Sequence, residues 1–176
     1  MVKKLQALKA KKGFTLVELI VVIAIIGVLA AILIPTLSGV IESSRKRSAE
    51  STCQSIQNLA KTYCSQYMAK KGSVYTGGTT ESVDMDDGNA PQTMTDYIKS
   101  QVPELKASNA STERGVLVGL NGGNVVEITY REGAFVSKWS SKTGGLMETL
   151  KTSDSTYSTN GYGTIAAGVS ITTVSV

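Results

Sequence analysis

The chain of 176 residues contains no histidine, and only two cysteines, three prolines and one tryptophan. Without histidine it lacks the commonest general base and the commonest metal ligand at neutral pH. It also has no G-x-S-x-G elbow and no Cys–His arrangement, which leaves a membrane-anchored enzyme as the weakest reading. Carboxylates are missing from the start: Lys3, Lys4, Lys9, Lys11 and Lys12 precede Phe14 with no acidic residue among them. That leader accounts for the net charge of +4, because the rest of the chain sets 13 basic residues against 14 acidic ones, a net of −1. A basic chain invites a nucleic-acid reading through phosphate contacts. Here the excess sits in the leader, so nucleic acid is disfavoured as a partner. Lys138, Lys142 and Lys151 read as solvated surface lysines rather than a DNA-binding patch.

What is present is one long apolar run. From Leu19 to Ile34 every residue is apolar or glycine. Taken from Leu16 to Ile34, nineteen residues at ~1.5 Å each give a helix of about 28 Å. A bilayer core is ~30 Å thick, so the run is long enough to span it. The lysines before it favour a cytoplasmic N-terminus, and residues from about Thr36 onward are expected outside. A secretory signal peptide would have a shorter core. A buried soluble helix would not be apolar all round. A plain anchor leaves Glu18 unexplained, since a charge at the centre of a membrane helix costs roughly 2.5–3.5 kcal/mol. Near the end of the run the cost falls, because the side chain reaches toward the interface.

The stretch "KKGFTLVELIVVIAIIGVLAAILIP", Lys11 to Pro35, resembles the N-terminus of type IV prepilins and pseudopilins. The resemblance implies cleavage by prepilin peptidase between Gly13 and Phe14, followed by N-methylation of the new Phe14 amine. It also implies that Glu18 pairs with the Phe14 amine of a neighbouring subunit during assembly. A new α-amine has a reference pKa of ~7.7–8 and is largely cationic at neutral pH, and Glu18 lies about one helical turn from it. In related pilins the segment near the proline loses helicity in the filament, so Gly27–Pro35 is expected to loosen. Pro35 lacks an amide donor and clashes with the preceding turn, which supports the same expectation.

Beyond Pro35 the apolar positions narrow to one face: Leu37, Val40, Ile41, Ser44, Ala49, Cys53, Ile56, Ala60, Tyr63, Cys64, Tyr67 and Met68. This is helical period, and it predicts one helix from about Phe14 to Lys70, ended by Lys70-Lys71-Gly72. The stripe from Cys53 to Met68 is where a head would pack. The two cysteines, eleven residues apart, share that face, yet at roughly 16 Å of rise they exceed the ~7 Å limit for a mutual disulfide. Two buried thiols, an inter-subunit bond or a metal site stay open. Many Gram-negative pilins close their C-terminal region with a disulfide; its absence here favours a Gram-positive or otherwise disulfide-poor source.

After Gly72 the chain is rich in Gly, Ser, Thr and Asn. "DMDDGN", Asp84 to Asn89, reads as a solvated acidic loop, with spacing one residue short of a calcium-binding hand. A short helix is expected over Gln92–Val102, then strands over Val116–Leu120, Asn124–Tyr130 and Ala134–Ser140, with Val126, Ile128 and Tyr130 sharing a face. Tight turns at Asn121-Gly122-Gly123 and Glu132-Gly133 specify an antiparallel meander. "MTDYIKSQVPELK", Met94 to Lys106, is similar to the helix-to-sheet connector of Gram-positive pilins. A short helix at Leu146–Lys151 and a strand at Thr164–Val174 complete the expected order. Asn109-Ala110-Ser111 matches a glycosylation sequon.

The resemblance implies an α+β fold: a long N-terminal α-helix, membrane-spanning in its first half, packed by its C-terminal half on an antiparallel β-sheet. The expected division is a leader over residues 1–13, a transmembrane and assembly helix over 14–35, the amphipathic half of that helix over 36–71, and a head over 72–176. The implied function is a type IV pilin subunit of a surface filament serving adhesion, motility or biofilm formation. The alternative is a pseudopilin of a type II secretion or competence system. The absence of carboxylates from "GVSITTVSV" tilts the reading toward pili. Implied partners are its own copies and other pilins, prepilin peptidase, a platform protein and ATPases, and the membrane before assembly. No cofactor or metal is expected.

Overall fold

The computed structural model of the chain describes residues 14–78, 81–85, 89–105, 114–153 and 168–174. The leader with Gly13, the sequon Asn109–Ser111, Asp86–Gly88 of the acidic loop and Thr164–Ala167 lie outside the described residues. Two compact units divide between Ser43 and Ser44.

Helix α1, Leu16–Lys71, matches the expected helix to within two residues at its start. Its run of Leu, Val, Ile and Ala has no strong breaker before Pro35, and Lys70 and Lys71 complement the dipole of its last turn. Gly72, at φ 67°, ends it, with its amide bonded to the Met68 carbonyl at 2.9 Å. In the single chain α1 runs unbroken through Pro35. Side chains take up carbonyls around the proline: the Thr36 hydroxyl donates to Leu33 O at 2.9 Å and the Ser38 hydroxyl to Ile34 O at 3.2 Å.

Helix α2, Met94–Gln101, starts at the N-cap Thr93, whose hydroxyl accepts from the Asp96 amide at 3.2 Å. Pro103 opens a single 3-10 turn to Leu105 rather than more helix. Strands β1 (Arg114–Asn121), β2 (Asn124–Glu132) and β3 (Phe135–Ser140) lie where expected. Gly122 (φ 53°) and Gly123 (φ 80°) form the two-residue turn between β1 and β2.

Two expectations are corrected. Residues Met147–Lys151 form strand β4, not a helix. Five residues are too few to hold an isolated helix. Gly144 and Gly145, both at positive φ, instead turn the chain back so that Ser137 pairs with Thr149 and Trp139 with Met147. The other correction concerns β2. A register shift at Gly119/Leu120 pairs Leu120 with Val125 and Gly119 with Glu127, so Val126 is the extra residue of a bulge. The bulge resets the alternation, and Val125 rather than Val126 is buried with Ile128 and Tyr130.

The sheet runs β4-β3-β2-β1-β5, with β5 at Gly168–Thr173. Four strands form the antiparallel meander. The fifth pairs with β1 in parallel, Val116 opposite Val169 through Leu120 opposite Thr173. The fold is therefore α+β with a predominantly antiparallel sheet.

The core lies between one sheet face and the stripe of α1. Ala49, Cys53, Ile56, Ala60, Tyr63, Cys64 and Tyr67 are buried there, and Gln57 joins them; Met68 stays exposed. Cys53 serves as a small hydrophobe whose thiol approaches Ser137 O at 3.5 Å. Both cysteines are free. Gln57 fits when its amide oxygen faces Lys61 Nζ (2.9 Å) and Trp139 Nε1 (3.2 Å), and Lys61 Nζ also lies 4.6 Å from the Trp139 ring centre. Tyr63 ties the following loop to the helix, its hydroxyl within bonding distance of Glu81 O (2.9 Å) and Gln92 O (3.0 Å). Rings of Tyr67, Tyr75 and Tyr97 pack around it at centroid distances of 5.2–6.4 Å, and Tyr67 lies 5.1 Å from Tyr75.

Two measurements check this packing. A Cβ on Gly123 would meet Val74 Cβ at 2.6 Å, whereas one on Gly122 meets nothing within 4 Å. Gly122→Ala should therefore cost about 1 kcal/mol from positive φ alone, and Gly123→Ala about 2–3 kcal/mol, in denaturant unfolding. Burial pushes the Cys53 thiol up to about 12 and the Cys64 thiol to about 11. Unfolded thiols ionise near pH 8.5 to 9, so the unfolded chain sheds these protons first. The contribution of these two thiols to stability should be constant below about pH 8 and fall as pH rises above 9. Neither thiol should react with a thiolate-selective reagent at pH 8 until the protein is unfolded.

Candidate functional site

Phe14 and Thr15 lead into α1, and Phe14 is 85% exposed. Thr15 caps the helix, accepting the Glu18 amide on Oγ1 at 3.2 Å and the Leu19 amide on its carbonyl at 3.2 Å. Glu18 reaches back, so that its Oε2 accepts the Thr15 amide at 2.8 Å and the Thr15 hydroxyl at 2.7 Å. This reciprocal arrangement is a capping box, and it satisfies donors that the first turn would otherwise leave orphaned. Glu18 also places negative charge at the positive end of the helix dipole.

Sequence reasoning singled out Glu18 but missed its nearest partner. The signal was available, because Thr15-Leu16-Val17-Glu18 has the capping-box spacing. The same geometry recurs at α2, where the Thr93 hydroxyl donates to Asp96 Oδ2 at 2.8 Å. Glu18 has a second role to offer as well. Both bonds fall on Oε2, and Oε1 accepts none among the described residues. A carboxylate has about four acceptor sites, so a cation can approach Oε1 without dismantling the cap.

The surface behind Glu18 is apolar. Leu16, Val17, Leu19, Ile20, Ile25, Leu29, Leu33 and Ile34 are all exposed, and none of the apolar run is buried within the chain. Among the described residues this is the one helix long and apolar enough to cross a bilayer. Exposed apolar area on this scale implies an apolar environment or partners. Pro35 lies at the far end of the run, about 26 Å of helical rise from Glu18, so the structure does not bring these two residues together.

Among the described residues no group of three His, Cys, Asp or Glu side chains is placed to hold a metal. Lys138 bonds Glu127 at 3.3 Å, and Lys70 lies 3.9 Å from Asp84.

Residues 8–34 match the family described as "Prokaryotic N-terminal methylation motif". The chain is 29% identical over 121 residues to a fimbrial protein of Pseudomonas aeruginosa, covering 68% of this chain and 76% of that one. It is 36% identical over 89 residues to the type IV wide pilus major component PilA4 of Thermus thermophilus, covering 51% and 64%. Over 59 residues it is 41% identical to the type II secretion system core protein G of Escherichia coli, covering 34% and 41%. No solved structure is significantly similar. Motif, relatives and fold define a class of subunit with an apolar N-terminal helix and an α+β head. The chain carries the N-terminal methylation motif and is similar to type IV pilins and to a pseudopilin. The motif and the single apolar helix support a membrane-anchored pilin that is later assembled into a filament.

Removing the cap gives a direct check. Thr15→Val should cost the helix start about 1 kcal/mol and raise amide exchange over the first turn of α1 in detergent micelles. Thr15→Ser should leave exchange unchanged.

Proposed function

We propose that the chain is a pilin subunit that polymerises through α1 into a surface filament for adhesion, motility or biofilm formation. The supporting observation is a carboxylate whose Oε1, on Glu18, accepts no bond among the described residues, on a helix whose apolar surface is exposed. Prepilin peptidase cuts between Gly13 and Phe14 and methylates the Phe14 amine. The cationic amine of a neighbouring subunit then meets Glu18. An ion pair in an apolar medium is favourable chiefly because the alternative leaves two unpaired charges there, so the pair sets register between subunits. Residues 1–13 are the leader, 14–35 the membrane and assembly helix, 36–71 its amphipathic continuation and 72–176 the head. Before assembly the chain spans the membrane once with its N-terminus cytoplasmic, and afterwards it is extracellular. A platform protein and ATPases drive extension.

A second reading has its own support. The similarity to type II secretion core protein G favours a pseudopilin of a secretion or competence system. The similarity to a fimbrial protein over 121 residues supports the pilus reading.

Glu18→Ala should still be cleaved, as seen by loss of the leader in mass spectrometry, but should accumulate in the membrane with surface filaments below detection by electron microscopy. Abundant Glu18→Ala filaments would overturn the reading. Filaments from the wild-type chain that stay beneath the cell surface would favour the pseudopilin.

A further inference from the structure

The bond proposed above to be cut lies just before the start of α1. Phe14 and Thr15 stand outside the helix, which begins at Leu16. The leader's own composition does not oppose helix. Leu5 to Lys12, "LQALKAKK", consists of Leu, Gln, Ala and Lys alone, all strong helix formers. Gly13 is the one helix breaker between that stretch and α1.

A helix continued from the leader into the apolar run would need amide bonds from Thr15 to Lys11 O, Leu16 to Lys12 O, Val17 to Gly13 O and Glu18 to Phe14 O. The cap captures two of these donors, the Thr15 amide by Glu18 Oε2 at 2.8 Å and the Glu18 amide by Thr15 Oγ1 at 3.2 Å. The helical ladder instead starts with the Leu19 amide on Thr15 O at 3.2 Å. Hydrolysis of the Gly13–Phe14 bond adds water across it, a hydroxyl to the Gly13 carbonyl carbon and a proton to the departing Phe14 amine. The attacking water needs open approach to that carbon in a fixed geometry. In a helix the same carbonyl is tied to the next turn and sheathed by side chains.

We infer that Thr15 is a positioning residue for removal of the leader: its cap stops α1 short of the scissile bond and holds that bond out of the helix for the peptidase. The inference rests on the cleavage proposed above. Glu18→Ala leaves the Thr15 hydroxyl on the amide of residue 18, so cleavage persists in that variant.

The test measures initial cleavage rates of the full chain in detergent by a purified prepilin peptidase, with products read by mass spectrometry. The Cα chemical shift of Phe14 in the uncut chain reports its backbone by NMR. Thr15→Ala, which favours helix and cannot cap, should move that shift toward helical values and slow cleavage about fivefold, the population change that loss of one cap implies. Thr15→Ser, which caps as well, should match wild type on both readouts. Ala7→Gly with Ala10→Gly, added to Thr15→Ala, lowers the helix propensity of the leader and keeps every lysine. This triple variant should recover the wild-type rate although the hydroxyl is gone. An unchanged rate in Thr15→Ala, or a Thr15→Ser rate equally slow, would overturn the inference. So would a triple variant that stays slow, because the peptidase would then be reading the hydroxyl itself. Wild-type chain left intact by a peptidase active on another prepilin would overturn the cleavage reading, and the inference with it.

Discussion

Everything in this chain answers to one constraint: the first half of α1 is apolar on all sides, and nothing else in the described chain covers it. In water such a surface drives aggregation, so the chain depends on an environment or on copies of itself to cover it. That dependence gives the few polar groups on the segment their meaning. Thr15 and Glu18 satisfy each other and the helix start through one carboxylate oxygen, and the second accepts no bond among the described residues. A residue that looks like a defect in a membrane helix is a local structural element with spare capacity.

The second half of the same helix obeys different rules, because its apolar positions have narrowed to a stripe. Ala49, Cys53, Ile56, Ala60, Tyr63 and Tyr67 on that stripe are buried, and the small Cys53 brings its sulfur to 3.5 Å from the Ser137 carbonyl of β3. Polar groups within the interface are matched rather than excluded. Gln57, Lys61 and Trp139 form one such set, and the Ser137 and Thr149 hydroxyls, 2.9 Å apart, form another across β3 and β4. The loop after the helix is anchored by tyrosine hydroxyls on backbone carbonyls, which fixes it without regular secondary structure.

Much of this was legible in the residues because the governing signals are local. The apolar run, its narrowing stripe and the Asn-Gly-Gly turn each carry their own period or backbone requirement, and α1, β1, β2 and β3 followed from them. The site was half legible: Glu18 was conspicuous by its charge, while its capping partner lay in plain spacing at Thr15 and went unread. What failed to show were pairings that depend on distant strands. Leu146–Lys151 has too few residues for a period to separate helix from strand, and only the waiting edge of β3 decides it. The bulge at Val126 depends on how β1 meets β2, and the parallel sense of β5 depends on a strand about fifty residues earlier. Neither is written in the local alternation.

That last pairing has a consequence for how the head comes together. β1 sits between β2, its immediate successor in sequence, and β5, which emerges only after every other strand has been made. The meander can zip up hairpin by hairpin, but one side of β1 stays bare until β5 arrives. Gly119 tightens the lock, because its missing Cβ leaves the room that Val174 fills, and the Val174 amide closes on Leu120 O at 2.8 Å. During synthesis the head is therefore an unfinished sheet with an adhesive edge, sealed by its most distant strand. A crowd of such chains held side by side in one membrane must finish that seal before neighbours can safely touch.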